Sequence, residues 1–337
     1  MNIKSLNRKL NKKFAGRVTA RLSDGCIVLT GELDDWNDVV DAGMTAATPH
    51  SSTHVVNDIV FTGAAEEKMH MPAINDKALD GEKPDVLVIG GGISGCSVAR
   101  ELSRYKLSVL LIDKEADLAL GASGRNDGEV HPGVDLSKGS LKHKYIRRAN
   151  HMYEDLCREL DVPFKRTGQY ACFTHKSWLP FVSLYAKWRR DHDGIEDTCI
   201  VMGDEIRKKE PKISADVAFA LSNPSSGSVS PYNLVIAYAE NAVQNGARVS
   251  LNTAVTGMDV SGGEIKAVYT NRGTIYPREV INCAGVYSDV VAQMAQDRFF
   301  SIHPRRGTNS ILDKKTGASF HGIASIVMSQ SPVQTHT

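Results

Sequence analysis

The segment that decides the fold runs from Asp85 to Asp113 and reads DVLVIGGGISGCSVARELSRYKLSVLLID. It begins with the apolar run Val86 to Ile89, which predicts a buried strand. Gly90, Gly92 and Gly95 follow in the spacing G-x-G-x-x-G, at the head of an amphipathic segment. This order of strand, glycine turn and helix is typical of a dinucleotide-binding unit.

Each glycine has its own role in such a unit: the first permits a tight turn, the second lets the backbone approach a pyrophosphate, and the third packs helix against strand. The pyrophosphate then lies at the positive N-terminal end of the helix. A second apolar run ends at Asp113, which is placed to accept hydrogen bonds from ribose hydroxyls. A glycine-rich turn in an ordinary α/β protein would not explain this acid. The predicted cofactor contacts here are Gly90, Gly92, Ile93, Ser94, Gly95, Asp113 and Lys114.

A loop of small residues follows, GASGRNDGEVHPG from Gly121 to Gly133. It is too rich in turn formers to predict a regular helix or strand. Such a loop can run along an extended ligand, and Ser123, Asn126 and Gly128 are our candidates for further cofactor contacts in it.

Two motifs of this loop, G-x-S-G-R-N-x-G and the H-x-G of His131 to Gly133, resemble the glycerol-3-phosphate dehydrogenase and L-2-hydroxyglutarate oxidase branch of the FAD-dependent, D-amino-acid oxidase-like superfamily. The run VINCAGVYSD, from Val280 to Asp289, resembles the second cofactor contact of that family, at Ala284 and Gly285. The resemblance covers about residues 85 to 337. It implies FAD as cofactor and an α/β fold, with a Rossmann-like FAD-binding domain and an interleaved α+β substrate domain.

The resemblance also implies a chemistry, in which flavin takes a hydride from a carbon that bears a hydroxyl or an amine while a base takes the proton. His131 is the candidate residue beside the flavin; the alternative is a histidine that only caps or packs its loop. Arg305 and Arg306 are candidates to bind the anion of the substrate by bidentate hydrogen bonds. They can equally be solvated surface charges, and we expect only one to face the site.

One departure bears on the substrate. Glycerol-3-phosphate dehydrogenases commonly carry Arg-Tyr soon after H-x-G, whereas this chain has Val134-Asp135 and then Gly139-Ser-Leu-Lys142, which is more like the hydroxyglutarate branch. We therefore expect a small anionic substrate, either glycerol 3-phosphate or a 2-hydroxy acid such as L-2-hydroxyglutarate, with an unidentified electron acceptor. Two alternatives stay open: an amine-oxidising relative of the same fold, and a non-catalytic fragment that acts through its N-terminal module.

The N-terminal residues predict a separate small α/β module. The pattern is a basic helix, a hairpin around Ser23-Asp24-Gly25, a helix capped by Asp34-Asp35, and a strand. The predicted bounds are Met1 to Ala15, Arg17 to Leu22, Cys26 to Leu33, a helix to about Ala47, and His54 to Phe61. This order resembles a BON domain, a module associated with membrane surfaces or protein partners; the alternative is a structural appendage.

These patterns predict a domain plan: a BON-like domain at 1–65, a linker at 66–83, an FAD-binding domain at 84–139 and 227–290, and a substrate domain at 140–226 and 291–337. In the resembled family a later segment returns to the FAD domain. Because this chain ends before such a segment, we expect a C-terminally truncated product with an incomplete substrate domain.

The composition and charge of the chain limit the classes of protein to which it can belong. The 337 residues carry a formal net charge of +1, which predicts no attraction to nucleic acid. No apolar run approaches the roughly 20 residues needed to span a bilayer, and the N-terminus lacks the apolar core of a signal peptide. We expect a cytoplasmic protein that contacts a membrane, if at all, through residues 1–65. Six scattered cysteines predict reduced thiols and no metal site.

Overall fold

The computed structural model describes residues 2–47, 54–64, 69–195, 197–304, 307 and 321–328. Internal contacts divide the chain into two compact units. The first unit is Met1–Gly124 with Tyr238–Gly307, and the second unit is Arg125–Ala237 with Thr308–Thr337. Elements are numbered below in chain order.

The N-terminal module has the predicted order of helix, hairpin, helix and strand. Its elements are α1 (Ile3–Phe14), β1 (Val18–Ser23), β2 (Cys26–Leu33), α2 (Trp36–Ala46) and β3 (Val55–Phe61). β2 is the central strand, antiparallel to β1 and parallel to β3. Asp35 begins α2 by accepting a hydrogen bond from the backbone N–H of Asn37 at 2.7 Å, as expected of an N-cap. α1 and α2 bury their apolar faces on this sheet.

A parallel sheet forms the centre of the first unit, as predicted. It contains β4 (Val86–Ile89), β5 (Val109–Ile112), β12 (Arg248–Ser250) and β16 (Glu279–Asn282), and α3 (Ile93–Leu102) connects β4 to β5. The strand order is β12-β5-β4-β16, and every neighbouring pair is parallel. The strands that follow β4 in the chain therefore lie on both sides of it: β5 and β12 on one side and β16 on the other. Open α/β sheets bind their ligands at such a change of direction.

An antiparallel meander replaces the helix between β12 and β16. It consists of β13 (Val255–Ser261), β14 (Glu264–Thr270) and β15 (Gly273–Ile275), and α8 (Ser288–Met294) follows β16. Gly262-Gly263 and Asn271-Arg-Gly273 predict turns, and the structure has its turns at Gly262-Gly263 and at Asn271-Arg272. Val268 and Ile275 pack with Leu87 and Leu110 of the parallel sheet, so the meander covers one of its faces.

The sequence from Ala247 to Val255 predicts a single strand, and that prediction is wrong. β12 ends at Ser250 and β13 begins at Val255 because the backbone turns between them, with Asn252 at φ 51°. The N–H of Asn252 donates to the Glu115 carbonyl and that of Thr253 to the Asp113 carbonyl, so these residues bind the loop after β5 instead of extending the strand.

Among its described residues, the second unit contains two sheets and three α-helices, and a fourth helix leads out of it. The larger sheet has the order β17-β8-β10-β9 and the smaller one β6-β11-β7. Their strands are β6 (Glu129–Val130), β7 (Phe164–Lys165), β8 (Gln169–Phe173), β9 (Cys199–Met202), β10 (Phe219–Asn223), β11 (Gly227–Val229) and β17 (Ile323–Met328). The helices are α4 (Leu141–Glu159), α5 (Leu179–Asp193), α6 (Gly203–Lys209) and α7 (Pro231–Gln244), and within α7 the chain passes from the second unit to the first.

β6 lies inside the stretch that we predicted to be irregular throughout. Its two residues form a strand because they pair with β11, where Gly227 is opposite Val130 and Ser228 is opposite Glu129. A partner about a hundred residues away in the chain supplies this strand, and turn propensity does not detect it. The other residues of the small-residue loop are a short 3-10 helix, Ala122–Gly124, and turns.

The predicted domain plan stays a prediction in its boundaries. Among the residues that the structure describes, no helix is long and apolar enough to cross a bilayer. The same residues hold no group of three or more His, Cys, Asp or Glu arranged to bind a metal ion.

Candidate functional site

The predicted cofactor residues of the first unit lie at the carboxyl edge of its parallel sheet. Ile89, the last residue of β4, is paired with Ile112 of β5 on one side and with Asn282 of β16 on the other. The three strands therefore end side by side. The glycine turn, Asp113 and the Ala284-Gly285 pair follow directly after these ends, at the point where the strand order changes direction.

Gly90 and Gly95 allow backbone segments to touch where no side chain would fit. Gly90 has φ +112°, and a Cβ on it would lie 2.2 Å from the Cys283 carbonyl oxygen. The Cα of Ala284 would be 3.1 Å from the same Cβ, so the turn presses against the end of β16. A Cβ on Gly95 would lie 1.8 Å from the Gly90 carbonyl oxygen, which brings α3 against β4. These contacts are those required of the first and third glycines of the motif.

Gly92 and Ser123 meet at the start of α3. Gly92 is the N-cap and provides no side-chain cap. Instead, the N–H of Ile93 donates to the Ser123 hydroxyl at 3.0 Å. A Cβ on Gly92 would lie 2.9 Å from that hydroxyl oxygen. Ser123 therefore belongs to the same site as the glycine turn, although thirty positions separate it from Ile93. Ser94, next along the helix, is exposed.

Asp113 is bound by backbone amides on both oxygens. Its Oδ2 accepts from the N–H of Gly91 at 2.5 Å, and its Oδ1 accepts from the N–H of Glu115 at 2.8 Å. A carboxylate has about four acceptor sites, so the two amides fix its orientation and leave capacity for ribose hydroxyls. Lys114 forms an ion pair with Glu115, and its Nζ lies 5.3 Å from the centroid of the Tyr287 ring.

Two thiols lie under this edge of the sheet. Cys96 is fully buried on α3, and burial raises the pKa of its thiol to about 12, with smaller contributions from the Asp113 carboxylate and from Cys283. Burial also raises the pKa of Cys283. Since the thiolate is the reactive form of cysteine, the raised pKa values of Cys96 and Cys283 disfavour a redox role for either residue.

Asn126 and Gly128, two other candidate cofactor contacts, belong to the second unit. Asn126 Oδ1 accepts from the N–H of Gly128 at 2.9 Å, which closes a turn ahead of β6. The Gly128 carbonyl accepts from the N–H of Val229 at 3.0 Å, and a Cβ on Gly128 would lie 2.2 Å from the Val229 carbonyl oxygen. Both residues thus shape the chain that leads to His131.

His131 directly follows β6 and has a buried acid beside it. Its Nδ1 lies 3.4 Å from Oε1 of Glu129; the His131 side chain is 46% exposed and that of Glu129 is 8% exposed. The Ser226 hydroxyl donates to the same Glu129 oxygen at 3.2 Å. Burial raises the pKa of Glu129, and the neighbouring His131 opposes this increase.

Four consecutive carbonyls, those of His131, Pro132, Gly133 and Val134, each accept a hydrogen bond from a side chain of α4 or α5. We call these four residues the His131 segment. The donors are Asn150 Nδ2 to His131 at 3.0 Å, Arg147 Nη1 to Pro132 at 3.3 Å, Arg189 Nη2 to Gly133 at 2.5 Å, and the Tyr185 hydroxyl to Val134. The segment is thus fixed by two helices without being part of any sheet.

Arg189 and Asp193 form a buried ion pair behind the His131 segment. Arg189 is 2% exposed and the Asp193 side chain is 0% exposed, and the Arg189 Nη1 lies 2.7 Å from Asp193 Oδ2. A second cation, Lys138 Nζ, lies 3.5 Å from the other carboxylate oxygen. The arrangement places one buried guanidinium between a carboxylate and the Gly133 carbonyl.

The structure thus brings Gly90, Gly92, Ile93, Gly95, Asp113, Ser123 and Ala284 together in the first unit, and it groups Asn126, Gly128 and His131 in the second. Arg305 and Arg306 lie outside the described residues. Sequence reasoning missed Glu129, Asn150 and Arg189. The available signal for Glu129 was its two-residue spacing from His131, because alternate residues of an extended chain share a face.

Comparison with known proteins agrees with this architecture. The model of the family "FAD dependent oxidoreductase" (DAO) matches residues 85–333. The chain belongs to this family. The predicted cofactor, FAD, and the predicted class of enzyme are confirmed at the level of the family.

Two curated relatives lie in the predicted branch of the superfamily. A glycerol 3-phosphate dehydrogenase of Caloramator mitchellensis is 36% identical over 69% of this chain and 48% of its own length. An L-2-hydroxyglutarate dehydrogenase of Indibacter alkaliphilus is 33% identical over 66% of this chain and 56% of its own. The chain therefore spans about half the length of these relatives.

A solved structure of FAD-bound L-α-glycerophosphate oxidase from Mycoplasma pneumoniae is similar with a TM-score of 0.58 and 27% identity. The similarity covers 64% of this chain and 57% of that one.

Proposed function

We propose that this chain carries the FAD-binding machinery of an oxidoreductase that removes a hydride from a CH–OH carbon of a small anionic substrate. The observation that carries the proposal is the convergence of Gly90, Gly92, Asp113 and Ala284 at the switch point of the parallel sheet, within a chain of this family. Both curated relatives described above are named for substrates that bear a hydroxyl and an anionic group.

The residues of the first unit fit a dinucleotide. Gly92 supplies no side chain at the start of α3, so backbone N–H groups at the positive end of that helix can meet a pyrophosphate. Asp113, oriented by the amides of Gly91 and Glu115, accepts hydrogen bonds from the ribose. Ala284 lies beside Gly90, and Gly285 follows it in the chain. Bound FAD supplies the hydride acceptor of the reaction.

The second unit supplies the groups that handle the proton. When a CH–OH group is oxidised to a carbonyl, the carbon loses a hydride and the hydroxyl loses a proton. We assign the proton to His131, whose ring is half exposed and whose backbone is fixed by Asn150. Arg305 and Arg306 are assigned to the anionic group of the substrate. Glycerol 3-phosphate and a 2-hydroxy acid such as L-2-hydroxyglutarate both carry the hydroxyl and the anionic group that these two assignments require.

Residues 1–65 are proposed to be a BON-like module that binds a protein partner or a membrane surface, in a protein that is otherwise cytoplasmic. The supporting observation is the two-sided character of α1. One face buries Leu6, Leu10 and Phe14 in the module, and the other exposes four cations: Lys4, Arg8, Lys9 and Lys12. Lys13 is also exposed but pairs with Asp41. An exposed basic face of this kind is attracted to anionic surfaces.

The proposed function is tested by the visible spectrum of the purified chain after incubation with FAD. We expect retained flavin, and we expect anaerobic glycerol 3-phosphate or L-2-hydroxyglutarate to bleach it. Bleaching by amino acids alone would assign an amine-oxidising activity instead, and failure to retain FAD under all conditions would overturn the proposal for this chain.

Gly92→Val tests whether FAD retention depends on the glycine turn. Its side chain would occupy the approach to the start of α3, where a Cβ is already 2.9 Å from the Ser123 hydroxyl. We expect this variant to lose FAD. Gly257→Ala is the control, because a Cβ there meets only Tyr269 at 3.6 Å, an ordinary contact.

A further inference from the structure

Glu129 has a position that none of the cofactor-binding or substrate-binding assignments uses. It lies two residues before His131 on the same extended stretch, and the two side chains therefore point to one side of the chain. The carboxylate side chain is 8% exposed, whereas the His131 side chain is 46% exposed. The pair thus consists of a buried acid and an accessible ring, joined through Nδ1 at 3.4 Å.

We propose that Glu129 is a positioning residue for His131: its carboxylate holds the proton of the neutral ring on Nδ1 and leaves Nε2 as the proton acceptor. This inference rests on the proposed function, in which His131 receives the proton of the substrate hydroxyl. The group bound by one ring nitrogen of a histidine decides which nitrogen carries the proton. A carboxylate accepts and cannot donate, so only an Nδ1–H satisfies it.

Both members of the pair are held by hydrogen bonds with neighbouring residues. The Ser226 hydroxyl donates to Glu129 Oε1 at 3.2 Å, and the N–H of Glu129 donates to Asp127 Oδ1 at 3.2 Å. The carbonyl of His131 accepts from the buried Asn150 at 3.0 Å. Neither the acid nor the backbone that carries the ring needs to rearrange for Nδ1 to face the carboxylate.

A small set of neighbouring groups shifts the pKa of the Glu129 carboxyl. Burial raises the pKa of its carboxyl most, His131 lowers it, Ser226 lowers it through the hydrogen bond, and Asp127 and Asp135 raise it. Because the folded state favours the protonated form of this acid, ionised Glu129 reduces stability as pH rises above its ordinary pKa. Glu129→Gln removes that cost, so we expect the variant to fold.

The test is nitrogen NMR of the chain labelled with ¹⁵N-histidine, with and without FAD. The signals of His131 among the 11 histidines are assigned with His131→Gln. In the parent we expect the neutral ring to carry its proton on Nδ1. In Glu129→Gln the amide side chain can donate as well as accept, and we expect the ratio of the two tautomers to change about tenfold, the equivalent of one hydrogen bond to a charged group.

Two further variants separate positioning from general electrostatics. Ser226→Ala releases the Glu129 carboxylate and should change the tautomer ratio in the same direction by a smaller factor. Asp135→Asn removes a nearby exposed charge and should leave the ratio unchanged. Once FAD is bound, Glu129→Gln should reduce kcat for flavin reduction about tenfold with an unchanged KM, since the Glu129 side chain is only 8% exposed and acts through His131.

The inference is overturned by equal tautomer ratios in the parent and Glu129→Gln, even if hydroxy acids reduce the flavin. A changed ratio in a protein whose flavin no hydroxy acid reduces would support the positioning role of Glu129 and reject the proposed function instead.

Discussion

The glycine turn of the first unit and the His131 segment of the second are both short loops held by close contacts, but by opposite means. The turn is fixed by missing side chains, which let Gly90 touch the Cys283 carbonyl and Gly95 touch the Gly90 carbonyl. The His131 segment is fixed by added side chains, which donate from α4 and α5 to four successive carbonyls. The glycines of the first device lie within six positions of one another in the chain, whereas the donors of the second lie 15 to 56 positions from the carbonyls they bind.

The comparison predicts that the two loops fail differently. Adding a methyl group should break the turn, because backbone atoms already occupy the space around it. Removing a donor should break the His131 segment, because a buried carbonyl or a buried charge is then left without its partner.

The largest effect is expected from Arg189→Met. The substitution leaves the Asp193 carboxylate buried and the Gly133 carbonyl without its donor. Removing one partner of a buried ion pair costs about 3 to 5 kcal/mol, and Lys138 near the other Asp193 oxygen favours the lower value. Urea denaturation followed by circular dichroism measures this loss. Lys187→Met, an exposed cation on the same helix, is the control.

A double variant shows whether the unpaired charge causes that loss. Asp193→Asn removes the charge, so Arg189→Met with Asp193→Asn should recover part of the free energy of unfolding. If the double variant is no more stable than Arg189→Met alone, the ion pair is not what Arg189 contributes, and the Gly133 hydrogen bond carries the effect.

Gly90→Ala tests the other loop and is expected to have the next largest effect. The methyl group would lie 2.2 Å from the Cys283 carbonyl oxygen, and alanine would have to adopt φ +112°. Overpacking and a left-handed backbone together cost roughly 3 kcal/mol. Thermal unfolding monitored by fluorescence reads the change. Gly257→Ala is the control, and equal melting temperatures for the two variants would show that the turn has room to relax.

The difference between the two loops also explains what the sequence could predict. Gly90, Gly92, Gly95 and the acid Asp113 are recognisable because each residue type satisfies a local backbone requirement. The strands on either side are short apolar runs, and the hairpin of the N-terminal module follows from Ser23-Asp24-Gly25. Each of these features is recognisable from residues close together in the chain, even where the contact it permits, such as that of Gly90 with Cys283, is distant.

The features that were missed depend on distant partners. β6 exists because β11 pairs with it. The split between β12 and β13 follows from hydrogen bonds to residues 113 and 115. Asn150 and Arg189 look like ordinary helix residues until the fold brings them to the His131 segment. Glu129 reads as a surface acid in a turn-rich loop, and only its burial and its contact with His131 distinguish it.

Ser123 was predicted from the sequence, yet its hydrogen-bond partner is distant in the chain. Of the three single variants, Ser123→Ala is expected to have the smallest effect on stability. Its hydroxyl accepts from the N–H of Ile93 at 3.0 Å, so it acts as an N-cap for α3 from a distant position. Loss of an N-cap costs about 1 kcal/mol, which should appear as a lower melting temperature of the FAD-free chain. Ser123→Thr retains a hydroxyl and should preserve most of the stability.

The same variant separates capping from cofactor binding. If Ser123 only caps α3, Ser123→Ala should lower the stability of the FAD-free and the FAD-loaded chain by the same amount, with an unchanged Kd for FAD. If the hydroxyl also contacts the cofactor, the loss should be larger in the loaded chain, and FAD should bind more weakly by the same free energy, because ligand binding and stability are linked. A weaker Kd would place Ser123 with the glycine turn as part of the cofactor site. An unchanged Kd would make Ser123 the counterpart, in the first unit, of the donors that fix the His131 segment.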